Sequence, residues 1–209
     1  VHTLPLDEVI GREFGFPNCL ILEQIYQRER LFGIPESSFY LLNGREKMIT
    51  KSPIRLQALS MLDLHQKHTF WDIGFCTGSV SIEAKLQFPH LQIHAFECRP
   101  EGETLINLNT RKFGTPGIEY HIGDFMELDV SDLPAPDAVF IGGHGGKLTE
   151  MLQKIDRYLL PGGCMVFNSV SENSLHLFRE GIEAIGRRID NEIGITVDSY
   201  NPITIIKAI

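Results

Sequence analysis

The sequence predicts an α/β fold, an open doubly wound sheet of seven mostly parallel strands with helices on both faces. Three observations predict it. From residue 69 onward short apolar runs alternate with amphipathic stretches, the pattern of successive βα units. The amphipathic stretches carry apolar residues at helical spacing, as in Leu175, Phe178, Ile182 and Ile185. The chain then closes on two strand-like runs that suit an antiparallel pair at one edge of the sheet.

The strands are expected at 69–73, 92–97, 118–122, 137–141, 164–170, 191–197 and 202–208. The connections between them read as helices. One covers 79–87, and the next spans 100–113, with Pro100 suited to an early helical position and Gly114 to the stop. Another runs from 147 to 160 and ends at the abrupt turn Pro161-Gly162-Gly163, and the last covers 172–188. Ahead of this core, Ser52-Pro53 reads as an N-cap followed by proline at the first helical position. That helix should turn Ile54, Ala58, Leu59, Met61 and Leu62 inward and cover one edge of the sheet. Residues 1–30 differ in kind: 16–22 read as a lone strand without partners, and 24–30 as a polar connector. The expected division is a tail and linker over 1–30 and one domain over 31–209.

Composition narrows the function. The formal charge of −8 argues against a nucleic-acid binder, because phosphate contacts need a basic surface. No stretch approaches the ~18 uninterrupted apolar residues of a membrane span. The opening VHTLPLDEVI lacks the basic region and long apolar run of a signal peptide. Because the first residue is Val, the chain looks like a piece of a longer one. Cys19, Cys76, Cys98 and Cys164 are too scattered for a zinc site or disulfide framework, so reduced thiols in a cytoplasmic protein are expected and no metal site is.

In a doubly wound sheet the ligand sits beyond the carboxyl ends of the strands, so the loops there carry the most information. After the first strand comes Gly74-Phe75-Cys76-Thr77-Gly78, whose glycines permit a sharp turn and close approach to a ligand. Asp72, just ahead of it, can accept a hydrogen bond from an amino-acid ammonium. Glu97 ends the second strand, where a carboxylate can grip a ribose diol. After the third strand, Asp124 can accept from an adenine amino group while Phe125 lies against the ring. The fourth loop, 142–147, places four glycines around His144, an arrangement that suits close approach of a ligand.

Together these loops distinguish cofactors. A dinucleotide fold calls for G-x-G-x-x-G with a glycine beside the pyrophosphate, whereas Phe75 and Cys76 follow Gly74 here. Three carboxylates on successive strand ends suit a cationic, phosphate-free nucleoside. S-adenosylmethionine has those properties.

The segments 72–83 (DIGFCTGSVSIE), 137–143 (DAVFIGG) and 48–51 (MITK) followed by Arg55 resemble the decarboxylating precorrin-6B carbon-15 methyltransferases of cobalamin biosynthesis. The resemblance covers about residues 31–209. It implies a class I, Rossmann-like S-adenosylmethionine-dependent methyltransferase that methylates carbon 15 of a precorrin and releases the ring C acetate as carbon dioxide. It implies a homo-oligomer, a tetramer, and cofactor contacts from Thr50, Asp72, Gly74, Phe75, Cys76, Thr77, Gly78, Glu97, Asp124, Phe125 and Gly142. The family usually has glycine where Cys76 stands, so the Cys76 side chain must turn away from the ligand or the pocket must be reshaped. Residues 16–22 look like the last strand of the carbon-5 methyltransferase fused ahead of this domain in bifunctional versions.

A precorrin carries many carboxylates, so an acidic protein must gather cations locally. Arg45, Lys47, Lys51 and Arg55 lie close together before the core, and His144 and Lys147 sit at the glycine-rich loop. Lys51, Arg55, Gly143, His144 and Gly145 are therefore the expected substrate contacts, with His144 and Lys147 the candidates for proton chemistry. Two alternatives stay open: a class I methyltransferase acting on RNA or protein, and a cofactor-binding scaffold without activity.

Overall fold

The computed structural model describes residues 2–23, 25, 31–45, 47–198 and 202–209. Its seven strands are β1 (Thr69–Ile73), β2 (Gln92–Glu97), β3 (Ile118–Ile122), β4 (Ala138–Ile141), β5 (Cys164–Ser169), β6 (Ile189–Ile195) and β7 (Ile203–Ala208). They form one sheet in the order β3-β2-β1-β4-β5-β7-β6. The first five strands pair in parallel, and β7 runs antiparallel to both β5 and β6. The expected fold class is the one observed.

Burial explains why these runs are strands. Every residue of β1, β4 and β5 is buried, because helices cover both faces of a central parallel strand. Neighbouring residues then serve different cores. Phe70 and Val166 join Ile54, Ala58, Val80 and Ala84 under one helical layer. Trp71 and Phe167 join Leu152, Ile155, Phe178 and Ile182 under the other. The edge strand β6 instead exposes Asp190, Asn191 and Glu192, polar side chains that discourage pairing with another sheet.

The helices are α1 (Leu6–Val9), α2 (Ser52–Met61), α3 (Ser79–Gln87), α4 (Glu101–Phe113), α5 (Leu148–Tyr158) and α6 (Glu172–Ala184). Gly114, in the left-handed region at φ 66°, stops α4, and the Ser171 side chain caps α6 by accepting from the Ser174 N–H. Among the described residues no helix is long and apolar enough to cross a membrane.

Three expectations need correction. Ser52 is not the N-cap of α2 but its first residue, and its N–H donates to the Glu36 carboxylate, which supplies the cap from a preceding turn. Helix α2 does not cover an edge of the sheet; its apolar stripe packs across the face, among Phe140, Val166 and Ile205. Residues 16–22 form no strand and lie exposed, Phe16 at 97% and Ile21 at 87%. An extended run needs a sheet edge to satisfy its backbone, and this one pairs with none among the described residues. The connector expected at 24–30 lies outside the described residues except for Ile25.

One buried ion pair joins the segment before α2 to the sheet. The Arg55 guanidinium is wholly buried and donates to Glu83 Oε2 at 2.5 Å, to the Thr50 carbonyl at 2.7 Å and to the Ile34 carbonyl. Glu83, from α3, also accepts the Gly33 N–H, and the guanidinium lies over the Phe39 ring. Each charge is thus held by several hydrogen bonds, which offsets its desolvation. Arg55→Met should destabilise the chain by about 3–5 kcal/mol in urea unfolding, because it strands Glu83 in the core. Adding Glu83→Leu should recover much of that loss; a double variant as unstable as the single one contradicts this account.

Candidate active site

From β1 and β4 the chain leaves the sheet toward opposite faces, with α3 on one side and α5 on the other. Their carboxyl ends therefore part into a crevice, where ligands bind in doubly wound sheets. A cavity of about 460 Å3 opens there. Gly74, Phe75 and Cys76 line it after β1, Glu97 and Arg99 after β2, Asp124 and Phe125 after β3, and Gly142, Gly143, His144, Gly145 and Lys147 after β4. Thr50 and Lys51, just before α2, close another side.

The turns interlock through their backbones. Gly74 and Phe75 donate to the Phe96 carbonyl at 2.8 and 3.2 Å, and Gly142 donates to the Ile73 carbonyl at 2.8 Å. Gly74 has φ 81°, and a Cβ on it would lie 2.8 Å from the Gly143 nitrogen. Only glycine lets the first and fourth loops meet this closely.

Glu97 is 2% exposed, yet its carboxylate organises two of the loops. Oε2 accepts the Cys76 N–H at 2.9 Å, while Oε1 accepts the Arg99 N–H at 3.0 Å and its guanidinium at 2.9 Å. Cys76 adopts a left-handed backbone at φ 50°, a conformation costly for a residue with a Cβ. Cys76 itself forms part of the cavity lining. Burial, reinforced by Glu97, pushes its thiol up to about 11, so it stays protonated at neutral pH.

Asp124 and Lys147 face each other across the mouth at 2.7 Å. That hydrogen bond, with a second from the Met126 N–H, holds the Asp124 carboxyl below the usual range and raises the Lys147 amine. Phe125 packs edge-on against Trp71 and Phe96, and Lys154 braces its loop by donating to the Phe125 and Leu128 carbonyls, both at 2.6 Å. The His144 Nδ1 accepts the Gly146 N–H at 3.2 Å, so the neutral ring carries its proton on Nε2. Desolvation lowers the His144 pKa and favours that neutral form.

Four expected site residues do not line the cavity. Arg55 is consumed by the buried network described above, so it is no substrate contact. Asp72 is buried off the lining, where its Oδ2 accepts the Ser81 hydroxyl at 2.6 Å and the Ser81 N–H at 3.2 Å, while its Oδ1 has no partner among the described residues. Thr77 and Gly78 are buried in the turn, and a Cβ on Gly78 would lie 2.9 Å from Ile106. They shape the loop without reaching the cavity. Arg45, from the proposed cation group, also lies off the lining.

Sequence reasoning missed the opposite wall, made by Met48, Val170, Ile195, Val197 and Ile203 with Asn168 among them. The apolar residues on alternate positions 193, 195 and 197 gave a signal, but they read equally well as core. Arg99 was missed as well, although it stands two residues beyond the singled-out Glu97.

A family model described as "Precorrin methyltransferase domain" matches residues 42–203. A cobalt-precorrin-6B C(15)-methyltransferase (decarboxylating) from Salmonella typhimurium is 35% identical over 162 residues, covering 78% of this chain and 83% of that protein. A precorrin-6Y C(5,15)-methyltransferase [decarboxylating] from Sinorhizobium is 37% identical over 123 residues, which span 59% of this chain and 29% of that longer protein. The crystal structure of a precorrin-6y C5,15-methyltransferase from Geobacter metallireducens superimposes with a TM-score of 0.78 at 34% identity, covering 87% of this chain and 98% of that one.

Asp72 gives the site a pH signature. Burial raises its carboxyl from 3.8 to about 7, against the Ser81 hydrogen bonds that lower it. Folding thus favours the protonated acid, so its stabilising effect is full below pH 3.8 and is lost as pH rises toward 7. The thermal midpoint of the wild type should fall relative to Asp72→Asn across that interval. A constant difference between the two would contradict the burial account.

Proposed function

Because the chain belongs to the precorrin methyltransferase domain family, we propose that it methylates carbon 15 of a precorrin of the precorrin-6B type, releasing the ring C acetate as carbon dioxide, in cobalamin biosynthesis. One observation carries this reading: the family match, residues 42–203, takes in every residue that lines the cavity.

The residues at the crevice fit S-adenosylmethionine. Among the described residues Glu97 Oε2 takes one donor, the Cys76 N–H, and it can accept a ribose hydroxyl as well. Asp124 already takes two donors and retains lone pairs for an adenine amino group. With Asp72 off the lining, the amino-acid end is left to the main chain around Gly74 and Gly142, beside Thr50. When bound, the cofactor supplies an electrophilic methyl group.

The chain's own contribution is orientation. Met48, Ile195, Val197 and Ile203 offer an apolar wall to a macrocycle, and Lys47, Lys51 and Arg99 stand on the lining as cations for its carboxylates. Fixing donor and acceptor carbon in line can contribute on the order of 7–11 kcal/mol at best. Gly143 and Gly145 carry the loop that presents the His144 Nε2–H as a hydrogen-bond donor. Lys147, held by Asp124 and kept protonated, is poorly suited to accept a proton.

The same reading includes a homotetramer in the cytoplasm. It also makes residues 1–30 the tail and linker of a preceding carbon-5 methyltransferase domain, supported by the longer Sinorhizobium relative and by the exposed apolar residues at 16–22.

Incubation with S-adenosylmethionine and precorrin-6B should give a product heavier by one methyl group and lighter by carbon dioxide in mass spectrometry; an unchanged corrinoid contradicts the proposal. Glu97→Gln should weaken cofactor binding in calorimetry by about 1–3 kcal/mol, because it loses the charge-assisted acceptor. Undiminished affinity would remove Glu97 from the ribose site.

A further inference from the structure

Helix α5 grips one loop of the crevice with two lysines. Lys147, at its N-cap, and Lys154, two turns further on, stand on the same face of the helix. Lys147 Nζ donates to Asp124 Oδ2 at 2.7 Å. Lys154 Nζ donates to the Phe125 and Leu128 carbonyls, both at 2.6 Å, and to the Met126 carbonyl at 3.4 Å, one acceptor for each hydrogen of the amine. The same amine lies 4.9 Å from the centre of the Phe125 ring. Among the described residues no main-chain N–H reaches these three carbonyls. Lys154 is half-buried and off the cavity lining, whereas Asp124 and Phe125 are on it.

We propose that Lys154 is a positioning residue for base recognition: by holding the turn over 125–128 it aims Asp124 at the 6-amino group of adenine, so that the crevice selects a 6-amino purine over a 6-oxo purine. This rests on the reading of Asp124 as the acceptor for adenine. The carboxylate and the turn move together. Inside the turn the Met126 N–H donates to Asp124 Oδ1 at 2.9 Å, and the Glu127 and Leu128 N–H groups close on the Asp124 carbonyl at 2.8 and 3.0 Å. An ionised carboxylate only accepts, so it pairs with the amino group of adenine and opposes the ring carbonyl of hypoxanthine. Without Lys154 the turn populates other arrangements, and affinity for the base falls with the fraction that stays competent.

Calorimetry of the full chain with S-adenosylhomocysteine and with its 6-oxo analogue, S-inosylhomocysteine, tests this. Wild type should favour the adenosyl form by at least about tenfold. In Lys154→Met the affinity for the adenosyl form should fall on the order of tenfold while that for the inosyl form changes by less than about threefold, so the preference collapses. Lys154→Gln keeps two neutral donors and should fall between; it carries the same comparison if the methionine variant fails to fold. A methionine variant that keeps wild-type affinity overturns the inference. So does one that weakens both ligands equally, because a pocket that is merely loosened would do that. A wild type that binds both forms alike removes Asp124 from the base and this inference with it, whereas binding of neither form overturns the cofactor reading itself.

Discussion

The close contact of two backbone turns at the middle of the sheet is the constraint on which the rest of the site depends. Gly74 meets the Gly143 backbone at a separation that leaves no room for a Cβ on Gly74, and hydrogen bonds to Phe96 and Ile73 fix both turns to the strands below. That junction sits where the connections from β1 and β4 leave toward opposite faces. The crevice is consequently a product of topology, and the loops serve to line it. Glu97 extends the junction sideways by holding Cys76 and Arg99. Gly102 leaves space for this: a Cβ there would lie 2.7 Å from Glu97 Cγ.

The fold was legible because its central strands are buried on both faces and read as short apolar runs, such as Met165-Val166-Phe167, that turn signals such as Pro161-Gly162-Gly163 bound. Helix boundaries followed from local chemistry, as at Gly114. What could not be read locally was the partner of each buried polar group. Arg55 looked like a free cation beside Lys51, but Glu83, 28 residues later, takes its charge into the core. Asp72 stood at the right strand end for a ligand, but Ser81 draws it back toward α3. Ser52 carried the cap signature, although a carboxylate from Glu36 does that work. In each case a tertiary hydrogen bond overrode a local pattern.

The cavity has two chemically different halves. One is built from turns with glycines and carboxylates, which suits a compact polar cofactor. The other is apolar, assembled from the β6–β7 hairpin and the segment before α2. Because α2 is anchored through Arg55 to the Thr50 and Ile34 carbonyls, the substrate half inherits its position from the buried ion pair. Although the chain is acidic overall, its cavity lining carries the cations Lys47, Lys51, Arg99 and Lys147.

The central claim is that the crevice between β1 and β4 holds the nucleoside. A crystal structure of the chain with S-adenosylhomocysteine tests it most directly. The account predicts density over residues 74–76, with the ribose hydroxyls on Glu97 and the amino-acid end between Gly74 and Gly142. Density at any other surface, or a ribose that leaves Glu97 untouched, would contradict it.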